Sequence, residues 1–165
     1  MTYIDLMETI AGMVSTLWPK RMLYRDFCPA DFQRPSGFLY VTNAGFTDVN
    51  IGLVEWTFEA ELTLYAATDS YTVESTEALR ADQNAVLALF AGPSIQVGDR
   101  QIAVYATANA PGPGEAYVTF TASWIDARPG YHDPEDANDE QTAGIPLMEN
   151  FEINNTVSSY PGNRE

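Results

Sequence analysis

Leu53-Val54-Glu55-Trp56-Thr57-Phe58-Glu59-Ala60-Glu61-Leu62-Thr63-Leu64-Tyr65-Ala66 alternates more cleanly than any other stretch of the chain. Val54, Trp56, Phe58, Ala60, Leu62, Leu64 and Ala66 fall on one parity, and Glu55, Thr57, Glu59, Glu61, Thr63 and Tyr65 on the other. Successive strand side chains point to opposite faces, so the spacing predicts a long strand with one buried and one solvated face. After a polar break from Ala67 to Thr72 the period changes. Ala78, Leu79, Ala85, Val86, Leu89 and Phe90 recur at helical spacing, Glu74 and Glu77 sit where a helix N-terminus favours negative charge, and Gly92-Pro93 stops the run. A long amphipathic strand followed by a helix able to pack on its apolar face is the nucleus of a two-layer α+β domain.

Upstream, Phe38 to Thr42 reads as a short strand rich in aromatic and branched residues, with Asn43 to Gly52 as a loop leading into the central strand. Arg21 to Phe27 is another short strand candidate, followed by a loop from Pro29 to Gly37. At the start, Thr2 caps a helix with Asp5 in the capping-box position. Leu6, Met7, Ile10, Met13, Val14 and Leu17 mark its apolar face, and Pro19 ends it.

Downstream, Ile95 and Val97 precede Gly98-Asp99, which suits a type II′ hairpin, and Arg100 opens a run containing Ile102, Val104 and Ala106. Ala108 to Glu115 is a Pro/Gly loop tip. Ala116, Val118, Phe120, Ala122 and Trp124 then alternate with polar residues in a strand expected to pair antiparallel with the Ile102 run. The expected fold is α+β, a mostly antiparallel sheet of four to five strands packed with two α-helices. Its expected core is Leu6, Ile10, Val14, Leu17, Trp56, Phe58, Leu62, Leu64, Leu79, Val86, Phe90, Val104, Val118, Phe120 and Trp124. Residues 1–130 are expected to form one core domain, and 131–165 an acidic loop and extended C-terminal arm.

The 165 residues suffice for one domain with a real core, and an apolar fraction of 45% argues against wholesale disorder. The formal charge of -15, with 23 acidic and 8 basic residues, argues against a DNA-coating role, because phosphate binding depends on clustered Lys and Arg. The single cysteine, Cys28, cannot form an internal disulfide; no signal-like segment opens the sequence, and no apolar run approaches the roughly 20 residues that span a bilayer. A reducing, non-membrane compartment is the expectation.

Catalytic chemistry finds little support. The one histidine, His132, stands beside Asp133 in an acidic segment without a second His or Cys, and Cys28 next to Pro29 has no base close in sequence. Glu55, Glu59 and Glu61 share a strand's wet face, whereas acid–base pairs need carboxylates in different environments. Asp133, Glu135, Asp136, Asp139 and Glu140 lack calcium-loop spacing, and no phosphate loop, nucleophile elbow or zinc pattern occurs. No cofactor and no metal are expected.

The order helix, two short strands, long strand, helix, hairpin resembles the tail terminator (tail completion) proteins of long-tailed bacteriophages. The resemblance lies in the opening helix from Tyr3 to Leu17 and in Pro35-Ser36-Gly37-Phe38-Leu39-Tyr40-Val41. It continues through the strand Trp56 to Tyr65, the helix Ala78 to Phe90, the strand Tyr117-Val118-Thr119-Phe120 and a Met-Glu-x-Phe-Glu ending at Met148 to Glu152. It covers about residues 1–153 as a pattern of elements. The acidic stretch Asp133 to Glu140 and the arm beyond Asn154 have no counterpart in it.

The resemblance implies a virion protein, assembled in the host cytoplasm, that forms a sixfold ring on the last tail-tube ring. Such a ring stops tube polymerisation and presents its other face to head-connector or neck proteins, with DNA passing through unbound. A ring needs heterologous contacts that close, and strand edges can make them by sheet extension. Pro111, Gly112, Pro113, Gly114, Phe151, Ile153 and Tyr160 are then candidate subunit or partner contacts. Asp133, Glu135, Asp136, Asp139 and Glu140 are candidate channel-facing acids whose charge keeps the duplex from the wall. Three other readings stay open: a neighbouring neck or head-completion protein, a minor tail protein, and a non-viral binding module using the Trp56/Trp124 sheet.

Overall fold

The structure, a computed structural model, describes residues 1–67 and 73–132, with side-chain environments from Thr76 onward in the second stretch. The fold is that of the unit Met1–Pro129; the chain from Gly130 to Glu165 is a separate unit, of which Gly130, Tyr131 and His132 are described. The class is α+β, as the alternation and the helical runs predict.

Helix α1 spans Tyr3–Leu17 and opens on a complete capping box: the Asp5 backbone N–H donates to Thr2 Oγ1 and the Thr2 N–H to the Asp5 carboxylate. The Thr2 backbone N–H, and after it the Thr2 hydroxyl, hold the Asp5 carboxyl below its ordinary pKa. Pro19 cannot continue the helix, which ends at Leu17. Strands β1 (Met22–Arg25), β2 (Ser36–Asp48) and β3 (Leu53–Tyr65) precede helix α2 (Val73–Leu89). Strands β4 (Ile95–Val97), β5 (Arg100–Ile102), β6 (Val104–Ala108) and β7 (Glu115–Ala127) follow it.

The main sheet has the order β1-β2-β3-β7-β6, with β1 parallel to β2 and every other pair antiparallel. Strand β3 lies at its centre, paired along its whole length with β7 on one side and from Val54 to Tyr65 with β2 on the other. The apolar parity of β3 forms one face with Leu39, Val118 and Phe120. Both helices cover that face: α1 through Leu6, Met7, Ile10, Ala11 and Val14, and α2 through Leu79 and Val86, with Phe90 just beyond it. Phe90 packs on Phe120 with ring centroids 4.9 Å apart. Gln83, buried on α2, donates through Nε2 to the carbonyls of Asn109 and Tyr117 at 2.8 and 2.7 Å and so ties α2 to the β6–β7 end of the sheet.

Four boundaries differ from the sequence expectation. The segment Asn43–Gly52, expected as a loop, continues β2 to Asp48, and only Val49–Gly52 turns the chain. Asn, Gly and Asp are poor strand formers, but twelve rungs of pairing with β3, interrupted by a bulge between Val41 and Asn43, hold them extended. The candidate Arg21–Phe27 stops at Arg25 because Asp26 adopts a left-handed φ of 56°, turning the chain away and leaving Phe27 73% exposed. The run from Arg100 through Ala106 divides: β5 pairs with β4 in a separate two-stranded sheet, while β6 pairs with β7. Gly98 at the β4–β5 turn has φ 59°, and Asp99 is not left-handed, as a type II′ turn requires. Helix α2 begins at Val73, ahead of the apolar repeat that starts at Ala78.

The expected core is buried except for Leu17 and Trp56, which pack on it while remaining partly exposed. Leu17 lies at the end of α1, and Trp56 packs on the exposed Phe46 and on Trp124.

Candidate interaction surfaces

The face of the sheet turned away from the helices is expected to be uniformly wet. Glu55, Thr57 and Glu59 are exposed, but Glu61 and Tyr65 are half-buried and Thr63 is buried. The difference comes from aromatic residues gathered at the β1 end. Phe32 packs on Tyr65 at 4.4 Å and edge-on to Tyr24 at 6.5 Å. The Arg34 guanidinium lies 4.9 Å from the Phe32 ring centre and 5.2 Å from that of Tyr65. Phe38 stacks on Tyr40 at 4.9 Å.

Two phenol–carboxylate pairs complete this end. The Tyr40 hydroxyl donates to Glu61 Oε1 at 2.6 Å, and the Tyr117 hydroxyl donates to Glu115. Hydrogen bonding to the carboxylate, helped by burial and by its negative charge, pushes each phenol up to about 12. Of the three glutamates singled out on β3, Glu61 is therefore committed to a phenol, while Glu55 and Glu59 stay on the open face.

The opposite end of the sheet is apolar and open. Phe46, Val49, Ile51, Leu53 and Ile125 are all exposed around the β2–β3 turn, Ile51 by 81%. The turn is shaped by Asn50, whose Oδ1 accepts the N–H groups of Gly52 and Leu53, and by Arg128. Arg128 donates from its backbone to the Gly52 carbonyl and from its guanidinium to the Ile51 and Asn50 carbonyls, and pairs with Asp48 at 2.8 Å. Close by, Asp126 receives the N-terminal ammonium at 3.2 Å and Arg100 at 3.0 Å. Burial opposes the charge on Asp126, but the Ala127 N–H, that ammonium and Arg100 outweigh it and lower its pKa.

Trp56 and Trp124 stack at 6.0 Å with nearly parallel planes, and Phe46 packs on Trp56 at 5.0 Å. Trp124 is 7% exposed, so the indole faces are occupied by one another and by Phe46. A small pocket among Val14, Trp18, Leu23 and Leu64, with Ser15, Arg21 and Ser36 also in its wall, holds about 10 Å³, room for one water rather than for a small-molecule ligand. A broader, open groove runs between α1 and β2, lined by Ile4, Met7, Glu8, Val41 and Ala44.

Of the proposed contact loop, Pro113 is exposed, Pro111 and Gly112 are half-buried, and Gly114 is buried. The Gly114 carbonyl accepts the Ala66 N–H at 2.9 Å, and Gly112 bridges to Glu115, so the loop is stitched to the end of β3 instead of standing free. Gly114 takes φ 78°, a conformation that suits glycine. Cys28 is half-buried, with its Sγ 3.9 Å from the Pro29 carbonyl. His132 is half-buried at the limit of the described residues. Phe151, Ile153, Tyr160 and the acids Asp133, Glu135, Asp136, Asp139 and Glu140 lie outside the described residues. Among the described residues no group of three or more His, Cys, Asp or Glu is placed to hold a metal, and no helix is long and apolar enough to cross a membrane.

The surfaces that sequence reasoning missed are the exposed turn, hidden by the loop expectation for Asn43–Gly52, and the Arg34 aromatic cluster. A usable signal for the first was Phe46-x-x-Val49-x-Ile51-x-Leu53, an apolar series in a stretch otherwise polar.

No protein-family model and no curated protein matches the chain. A solved chain whose name states no function is similar at 14% identity, covering 79% of this chain and 94% of that chain, with a TM-score of 0.38, a likeness too slight to argue from.

Proposed function

We propose that this protein is a structural subunit of a long-tailed phage, a tail terminator, that joins five further copies in a ring on the end of the tail tube. The observation that carries the reading is the order of elements around a central long strand, with both helices on one face of the sheet. That arrangement leaves the other face, the terminal strands and an apolar turn available for contacts with neighbours. A ring subunit needs at least two unlike contact surfaces so that head-to-tail association can close. Its partners are copies of itself, the tail-tube protein and the head-connector or neck proteins, and its place is the virion. DNA crosses the ring without specific binding, consistent with a charge of -15 per chain. No enzymatic role is proposed.

A ligand-binding module on the Trp56/Trp124 sheet is the weaker reading, because those indoles pack on one another. The deciding experiment is the solution mass of the purified protein, alone and mixed with tail-tube subunits. Length-arrested tubes capped by a ring of six are expected. A chain that neither binds tube ends nor alters tube length overturns the reading.

A further inference from the structure

On both sides the main sheet presents strand edges with little of the usual protection. Strand β1 pairs with β2 only from Ser36 to Leu39, so among the described residues no strand covers β2 from Tyr40 to Asp48. At the other side β6 is the last strand, its Tyr105, Thr107 and Ala108 exposed, Tyr105 by 68%. Natural sheets guard such edges with lysine, proline or inward charges, because unpaired N–H and C=O groups invite another chain. Here Tyr40-Val41-Thr42-Asn43-Ala44-Gly45-Phe46-Thr47-Asp48 has no proline and no lysine, and one charge at its very end. Val104-Tyr105-Ala106-Thr107-Ala108 has no charge and no proline at all. The bulge between Val41 and Asn43 is the one irregularity along them.

We propose that the sheet continues from one copy of this chain into the next, with the β2 edge Tyr40–Asp48 of one copy receiving the β6 edge Val104–Ala108 of a second copy. The pairing deepens the ring reading above and rests on it for the closed count of copies, but not for the contact itself. Polarity supports a second copy over an unrelated strand. Each step β2-β3, β3-β7 and β7-β6 is antiparallel, so β2 and β6 run in opposite directions. A second copy added head to tail therefore meets β2 antiparallel, keeps its helices on the same face, and repeats the alternation of the sheet. An unrelated partner would cover one edge and leave the other bare, whereas copies of one chain cover both. The open groove between α1 and β2 leaves room beside the receiving edge, and Phe46 supplies apolar area at its far end.

Two edge-specific substitutions test the contact on the full-length chain. Ala44→Lys charges the β2 edge and Thr107→Lys the β6 edge; both positions are exposed, and an unchanged circular dichroism spectrum and melting transition confirm folding. By analytical ultracentrifugation the wild type is expected to associate, and each variant alone to sediment as a monomer. An equimolar mixture should give heterodimers and nothing larger, since one partner keeps an intact β6 edge and the other an intact β2 edge. Should Ala44→Lys lose its fold, Thr47→Lys, likewise exposed on β2, replaces it; should Thr107→Lys do so, Tyr105→Pro and Ala106→Pro replace it. Alternate residues of an edge strand point their N–H outward, so one of these two removes only an outward donor, and that variant should be folded and monomeric.

A wild type that remains monomeric at its highest soluble concentration overturns the inference, as does a single variant that still associates. Association that follows this pattern without any capping of tail tubes upholds the edge pairing and removes the terminator reading. Capping by a chain that never self-associates does the reverse.

Discussion

At the scale of single residues, the buried parity of β3 carries the largest stability consequences. Phe58 is 3% exposed on the central strand, within the hydrophobic core. Replacing it with alanine removes a ring from a close-packed interior that cannot collapse around the gap, and should cost about 3–5 kcal/mol. That is a large part of the margin of a domain this size, so the denaturant midpoint should fall steeply or the cooperative transition vanish. The solvated parity carries a different signature, in titration. The phenols of Tyr40 and Tyr117 are raised from 10.0 to about 12 by their carboxylate partners. A group whose folded pKa lies above its unfolded one stabilises the fold fully below the unfolded value, and that contribution disappears as pH rises through the folded value. Any stabilisation from these pairs is thus intact below pH 10 and lost on the way to about 12. A phenolate absorbance titration should show Tyr40 and Tyr117 among the late-ionising tyrosines, with Tyr65 also raised by its burial, and Glu61→Gln should return Tyr40 towards the ordinary range. Titration of Tyr40 unchanged in Glu61→Gln would mean that the carboxylate is not the cause.

At the scale of elements, what could be read from sequence was whatever a local pattern determines. The capping box of α1, the stop at Pro19, the faces of β3 and β7, and the Gly98 turn all follow from residues close in sequence. What escaped is what a neighbour imposes. Asn43, Gly45 and Asp48 have no strand preference of their own and become strand because β3 supplies a ladder to pair with. Thr63 and Tyr65 alternate as a wet parity, yet Thr63 is buried and Tyr65 is half-covered, with Phe32 and Arg34 reaching Tyr65 from outside the alternating stretch. The candidate contacts were legible only in part. Pro113 is exposed as a loop tip should be, but a Pro/Gly composition cannot announce that the Gly114 carbonyl is bonded to Ala66. The exposed turn at Val49–Gly52 depends on Arg128, far away in sequence, which binds three of its carbonyls. Arg128→Ala should therefore leave the global melting transition nearly unchanged while speeding amide exchange at Val49, Asn50 and Leu53. These amides sit in the turn, where opening is governed locally rather than by global unfolding. Equal exchange in the variant and the wild type would show that the turn holds without the Arg128 guanidinium.

At the scale of the whole molecule the dominant fact is charge, 23 acids against 8 bases. Among the described residues four of the bases are paired: Arg21 with Asp82, Arg25 with Glu8, Arg100 with Asp126 and Arg128 with Asp48. The excess is thus presented to whatever the protein faces. In the proposed ring, six chains at -15 carry on the order of -90, and a duplex crossing the centre meets like charge that keeps it from adhering. Asp133, Glu135, Asp136, Asp139 and Glu140 form the densest acidic stretch, with no basic residue among them. Changing all five to the corresponding amides brings each chain from -15 to -10, and the ring from on the order of -90 to -60. If that stretch lines the channel, particles built with the variant should assemble normally, carry tails of ordinary length and release their genome more slowly, most visibly at low ionic strength, where screening is weakest. Ejection measured by dye uptake on released DNA separates the possibilities. Slower release that added salt restores to the wild-type rate marks an electrostatic role in the channel. Unaltered release at every salt concentration removes the channel role from these acids and leaves solubility as the use of the excess.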